Sequence, residues 1–351
     1  MSNIISLKVP PRRQRLSERT HTLVEAFASH RRIQDDVFWL KENAELLNIL
    51  ECTGTAVDPA ALLPHADFYN RLQDRLAFFP QYYRFLLSIG LDLEDLGMAG
   101  AQMEALCHKV AKAGLPDAEL SDLQRAEARR LLARRGQACA AADPGLDDRL
   151  RSFINRSDTF ALPNKKAAYE LTHIVFYLSE YGRRDPRLDA GALRSLEYAG
   201  ILAHLDQNID LLAEICVALR YAGQQPDPIW VAAVRRALAG FAITETCEAA
   251  LADDYHEYLV AAWAMQTLGF DDSGAAAPKG RIVFTQPEAA PSALRPMSAA
   301  LFAAEHARSG DWGQMLEYVF SMMDDGAAAT LEATLASTVH FDAFFEVFAR
   351  A

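Results

Sequence analysis

The stretch Tyr169-Glu-Leu-Thr-His-Ile-Val-Phe-Tyr-Leu-Ser-Glu-Tyr-Gly182 reads as one buried helix closed by a glycine, with a histidine and a glutamate set into an apolar run. Two later segments match it without a gap when all three are set on their closing glycines. They are Asp210–Gly223 (DLLAEICVALRYAG) and His256–Gly269 (HEYLVAAWAMQTLG). The glycines stand 41 (182 to 223) and 46 (223 to 269) residues apart. Amphipathic segments around 188–202 and 228–241 precede the later two. One helix pair every forty-odd residues predicts an all-α fold of repeated helical hairpins, forming an α/α superhelix or toroid. The three segments are apolar nearly all round, the mark of inner helices.

Counting back from each glycine brings polar residues into register. Thirteen back stand Tyr169, Asp210 and His256; nine back stand His173, Glu214 and Val260. Positions four apart share one helix face. Helices stacked in register therefore aim His173, Asp210, Glu214 and His256 the same way. Glu170 lies beside His173 at i, i+3, and Asp253 beside His256. Ionisable groups in a buried helix are costly unless paired, hydrogen-bonded or liganded. One reading is a structural network in which carboxylates satisfy imidazole N–H groups and fix helix register. The other is a catalytic site in a central cavity, with His173 or His256 as base or ligand and Glu170, Asp210 and Glu214 as acids, bases or ligands. The Glu170-x-x-His173 and Asp253-x-x-His256 spacings fit the carboxylate–histidine set of helical di-iron proteins. On that reading Glu170, His173, Glu214 and His256 are the metal ligands and a divalent metal is the cofactor. Asp253-Asp-Tyr-His-Glu257 also fits the D-D-x-x-E motif of helical terpenoid synthases. Asn208-Ile-Asp-Leu-Leu lacks the Ser/Thr and Glu of their second motif.

The run Glu170-Leu-Thr-His173…Phe176-Tyr-Leu-Ser-Glu-Tyr-Gly182 resembles the signature of an uncharacterised bacterial all-helical family, a domain of unknown function. That signature reads E-L-T-H, then an aromatic-rich turn, then acidic–aromatic–Gly. Asp210-Leu-Leu-Ala-Glu214 and Tyr255-His256 suit the same pattern, while Ser179-Glu180-Tyr181 stands where it has Thr-Asp-Phe. The resemblance implies the repeat and its polar positions, and no chemistry.

The chain has 351 residues, 51% hydrophobic and 23% charged, a globular composition. Its net charge of −12 disfavours non-specific nucleic-acid binding. None of the five cysteines (52, 107, 139, 216 and 247) lies within four residues of another, which removes any C-x-x-C zinc or redox motif. No apolar run is long enough to span a bilayer, and the N-terminus lacks a signal h-region, so a cytoplasmic location is expected.

Residues 1–18 read as a flexible arm, 19–140 as an N-terminal helical region and 145–270 as the helical-repeat core. Residues 271–296 read as a linker or long loop with one extended piece at Arg281-Ile-Val-Phe-Thr, and 297–351 as C-terminal helices. Ser17, Asp35-Asp36 and Ser121 are expected helix starts, and Pro80 is expected to divide two helices. Arg125, Arg129, Arg130, Arg134 and Arg135 form a basic helical face expected to pair with acidic neighbours. No nucleophile elbow, P-loop or dinucleotide fingerprint is present. The expectation for function is a helical-repeat protein binding a partner protein or small molecule, with no nucleic acid and no membrane, in its concave surface. The alternative is an enzyme using the histidine–carboxylate site.

Overall fold

The computed structural model describes residues 16–34, 36–248, 252–270 and 276–350. The fold is all-α, with two four-residue strands among the described residues. The expected arm up to residue 15, Asp35 of the expected helix start, and residues 271–275 of the expected linker lie outside the described residues. No helix is long and apolar enough to cross a membrane among the described residues.

Polar side chains start the helices by accepting the unpaired first-turn N–H groups. Asp36 takes the Trp39 amide at 2.6 Å, Asn164 that of Ala167 at 3.1 Å, and Asn208 that of Leu211 at 3.2 Å. Two expected caps turn out differently. The first helix begins at Leu16, so Ser17 lies inside it. Ser121 stands at the N-cap position but makes no cap hydrogen bond. Pro80 divides a helix ending at Phe78 from one at Tyr83–Asp95, through a single 3₁₀ turn that accommodates its missing N–H.

The Ile209–Tyr221 helix sits deepest, buried at every position from Ile209 to Leu219. It packs against the Lys165–Leu178, Ala190–Leu205, Pro228–Gly240 and Tyr255–Thr267 helices. Gly200 lets one of these approach closely, because a Cβ there would stand 2.4 Å from the Trp230 ring. Gly223 (φ 74°) and Gly269 (φ 82°) close their helices in the left-handed conformation. The Lys165–Leu178 helix stops differently. It ends at Leu178, and Glu180 (φ 50°) takes the left-handed position, two residues before Gly182. Gly182 serves another need as well, since a Cβ on it would meet the Tyr221 ring at 2.5 Å. The three closing glycines are therefore not equivalent.

Within the expected linker, Ile282–Thr285 pairs antiparallel with Ala242–Glu245, Ile243 opposite Phe284. The earlier strand escaped the sequence reading because it buries only Ile243, leaving no alternation to detect. The basic helical face is paired throughout: Arg125 with Asp143, Arg129 with Asp147, Arg130 with Glu180, Arg134 with Asp92, and Arg135 with Glu94 and Asp95.

Arg31 joins these parts. Its five N–H donors are all used: two reach Glu42 (2.8 and 3.3 Å), two reach Asp253 (both 2.8 Å), and one reaches the Ile282 carbonyl (2.7 Å). The guanidinium also lies over the rings of Phe27, Tyr255 and Phe284 at 4.9, 5.2 and 5.1 Å. Removing it leaves Asp253 without a counter-charge in the interior and Glu42 with Arg32 alone. Arg31→Met should therefore destabilise the protein by about 3–5 kcal/mol, read as a lower denaturant midpoint. A midpoint within error of wild type would refute the role given to Arg31.

His65 and His204 are buried and neutral. Burial drives each pKa down to about 4. Between about pH 6.5 and pH 4 the unfolded chain takes up protons that the folded chain refuses. Stability is thus fully present above that window and is lost as pH falls through it, by roughly 3 kcal/mol per histidine. In His65→Gln, the fall in urea midpoint between pH 7 and pH 4 should be shallower than in wild type; an equal fall would show that His65 does not carry it.

Candidate functional site

Asp210 and Glu214 lie one turn apart at the start of the deepest helix, both buried. His256 stands in the first turn of the neighbouring Tyr255–Thr267 helix. The three offer ligand atoms that all lie within 4.8 Å of one another. His256 Nε2 is 3.4 Å from Asp210 Oδ1, and that oxygen is buried with no hydrogen-bond partner. The opposite sides of these groups are tied down. Tyr169 donates to Asp210 Oδ2 at 2.6 Å, and the Thr172 hydroxyl donates to Glu214 Oε2. His256 Nδ1 faces Glu45 Oε2 at 3.2 Å; a carboxylate can only accept, so Nδ1 carries the hydrogen and Nε2 points inward. His173 sits at the edge, its Nδ1 bonded to the Tyr169 carbonyl at 2.8 Å and 3.6 Å from Glu214 Oε2.

The sequence matches the family DUF6902, described as a domain of unknown function, over residues 1–351. The chain belongs to that family. No curated protein and no solved structure matches it. The family description carries no activity, so the site must be read from its own residues.

Of the sequence candidates, Asp210, Glu214 and His256 form the compact group, and His173 flanks it through Glu214. Glu170 is half-buried, and no hydrogen bond or ion pair joins it to His173 among the described residues. Asp253 turns from His256 to Arg31 and to the Phe284 amide at 2.9 Å, and Asp254 accepts from the Gln286 amide at 2.7 Å. The two aspartates of D-D-x-x-E are thus bonded to the scaffold. Sequence reasoning missed Glu45 and Thr172 as site residues. Glu45 follows the wholly buried Glu42 and Asn43 in a helix that is otherwise apolar inside, and that density of polar groups was the available signal.

The electrostatics follow from burial among carboxylates. Burial opposes the His256 imidazolium, but the hydrogen bond and charge of Glu45, helped by Asp210 and Glu214, push its pKa up to about 9. Burial also opposes the Glu45 carboxylate, yet His256 holds its pKa below the usual range. For Glu214 burial wins, lifting its pKa above the usual range despite the neighbouring His173. In NMR titrations of chelator-treated protein, His256 should titrate near pH 9, and in Glu45→Gln it should move toward the ordinary value near 6.5. An unmoved titration would remove Glu45 as the cause.

Proposed function

We propose that this is a binding protein whose ligand is a divalent transition-metal ion, held by Asp210, Glu214 and His256. One observation carries the reading. The Asp210 Oδ1 atom is buried without a hydrogen-bond partner and converges with His256 Nε2, while the far side of each ligand group is anchored by another residue. Glu45–His256 repeats the carboxylate–histidine–metal arrangement, in which the outer carboxylate orients the ring and strengthens its free nitrogen as a donor. Tyr169 and Thr172 do the same for the two carboxylates. Metal–ligand bonds of about 2.0–2.2 Å bring donors to roughly 3 Å apart, so small side-chain rotations close the present spread. An imidazole with two carboxylates suits zinc, iron(II) or manganese. Three protein ligands leave positions for water or substrate, the arrangement of catalytic rather than structural sites. Such an ion would act as a Lewis acid and lower the pKa of its bound water. Glu45 and His173 stand beside it to manage protons. The scaffold we infer is a set of helical hairpins wound as an α/α superhelix, with the Lys165–Leu178, Ile209–Tyr221 and Tyr255–Thr267 helices innermost.

The test is metal content and rebinding. Purified protein should carry metal near one equivalent, and chelated protein should rebind Mn²⁺ or Zn²⁺ by calorimetry. At a hundredfold excess over Kd the ion should add about 2.7 kcal/mol of stability. Asp210→Asn, which keeps an acceptor for Tyr169, and His256→Ala should both abolish rebinding. Failure of the chelated wild type to bind either ion would sink the proposal and leave a structural hydrogen-bond network.

A further inference from the structure

Arg19 lies in the first helix and is only 6% exposed, yet no carboxylate is within ion-pair distance of it among the described residues. Its Nε is buried with no hydrogen-bond partner, and its guanidinium lies over the Tyr258 ring at 5.5 Å. The contrast with Arg31 is direct. Arg31 is equally buried, and two carboxylates and a carbonyl take all five of its donors. A guanidinium does not lose its proton under ordinary conditions. An arginine held in the interior with no carboxylate beside it is costly, a burden a fold carries where the charge has a use. Burial alone acts on this group, lowering its pKa to about 10.

The space beside Arg19 is open. A cavity of about 120 Å³ lies between the Leu16–Ser29, Val37–Cys52 and Tyr255–Thr267 helices. Its walls include Leu23, Leu46, Leu259 and Trp263, with Tyr258 beside Arg19. The Tyr258 hydroxyl is also buried and without a partner. At the exposed rim, Gln266 donates to Thr55 at 2.7 Å. Arg19 and Tyr258 thus border a chamber whose other walls are mainly apolar, and the two unsatisfied donors lie behind its surface. The chamber is smaller than the roughly 150 Å³ apolar cavity that accepts a benzene ring, and its open rim lets part of a ring-sized guest extend toward solvent.

We infer that this cavity binds a small monocarboxylate with an apolar body, its carboxylate on Arg19 and Tyr258 and its body against Leu23, Leu46, Leu259 and Trp263. A guanidinium fork matches a carboxylate with two parallel hydrogen bonds. Inorganic phosphate suits the chamber less: it would surrender its hydration to apolar walls, with one arginine and one hydroxyl in return. The site is separate from the metal cluster, whose ligands do not line it.

The probe is 4-fluorobenzoate, followed by ¹⁹F NMR on the full chain in the presence of EDTA, so that binding to a metal ion cannot contribute. Wild type should broaden and shift the resonance saturably, benzoate should compete, and phosphate and neutral benzyl alcohol should not. Arg19→Met, with its fold checked by circular dichroism, should weaken binding roughly ten- to a hundredfold. The same variant should raise the Tm of the ligand-free protein, because it removes an uncompensated buried charge. Arg19→Lys, which keeps the charge and loses the fork, should bind with intermediate strength. Absence of any wild-type effect, equal binding in folded Arg19→Met, or displacement by phosphate in place of benzoate would each overturn the inference.

Discussion

Five hydrogen bonds from one buried guanidinium hold the site in place. Arg31 grips Asp253 with two of them, and Asp253 lies three residues before His256. The same carboxylate accepts the Phe284 amide, and Arg31 also reaches the adjoining strand at Ile282. The first helix, the second helix, the strand pair and the helix bearing His256 are thus fixed to a single point. A lysine there would present three donors from a point charge and could not span the planar set of acceptors. Burial that would otherwise be expensive becomes tolerable because every donor is used.

Charge balance governs the site that this frame positions. Glu45, Asp210 and Glu214 converge on one imidazole. Two buried carboxylates beside the half-buried Glu45 need a cation among them. In the metal-free protein the His256 proton supplies part of that charge, and protonation of Glu214 is favoured for the same reason. A divalent ion satisfies the same need more fully, and its binding would release protons.

The helices were legible because periodicity and capping residues are local. The three glycine-closed segments could be found by counting from glycines, and the same count aimed Asp210, Glu214 and His256 one way; their ligand atoms lie within 4.8 Å of one another. The register of that count is off in one segment, since the Lys165–Leu178 helix closes on Glu180 and not on Gly182. The Glu170-x-x-His173 spacing shows the limit of i, i+3 reasoning: it puts two residues on one side of a helix and is silent on which neighbour they face. Glu45 could not have been paired with His256, because the two are 211 residues apart and no spacing rule reaches that far. Arg19 and Arg31 look alike in sequence, and only the structure shows that one is fully partnered and the other is not.

The strand pair has a mechanical meaning beyond its small size. Its two members flank the helix that carries His256, so the four-residue ladder closes a loop around that helix, and the Phe284 and Gln286 amides fasten to Asp253 and Asp254 at its head. Such a clasp removes sliding along the helix axis, the one motion that side-chain packing on a smooth apolar face resists least. The ring nitrogen of His256 is thereby indexed to the backbone of a distant segment, and chain inserted between the helix and the second strand can vary in length without shifting that index.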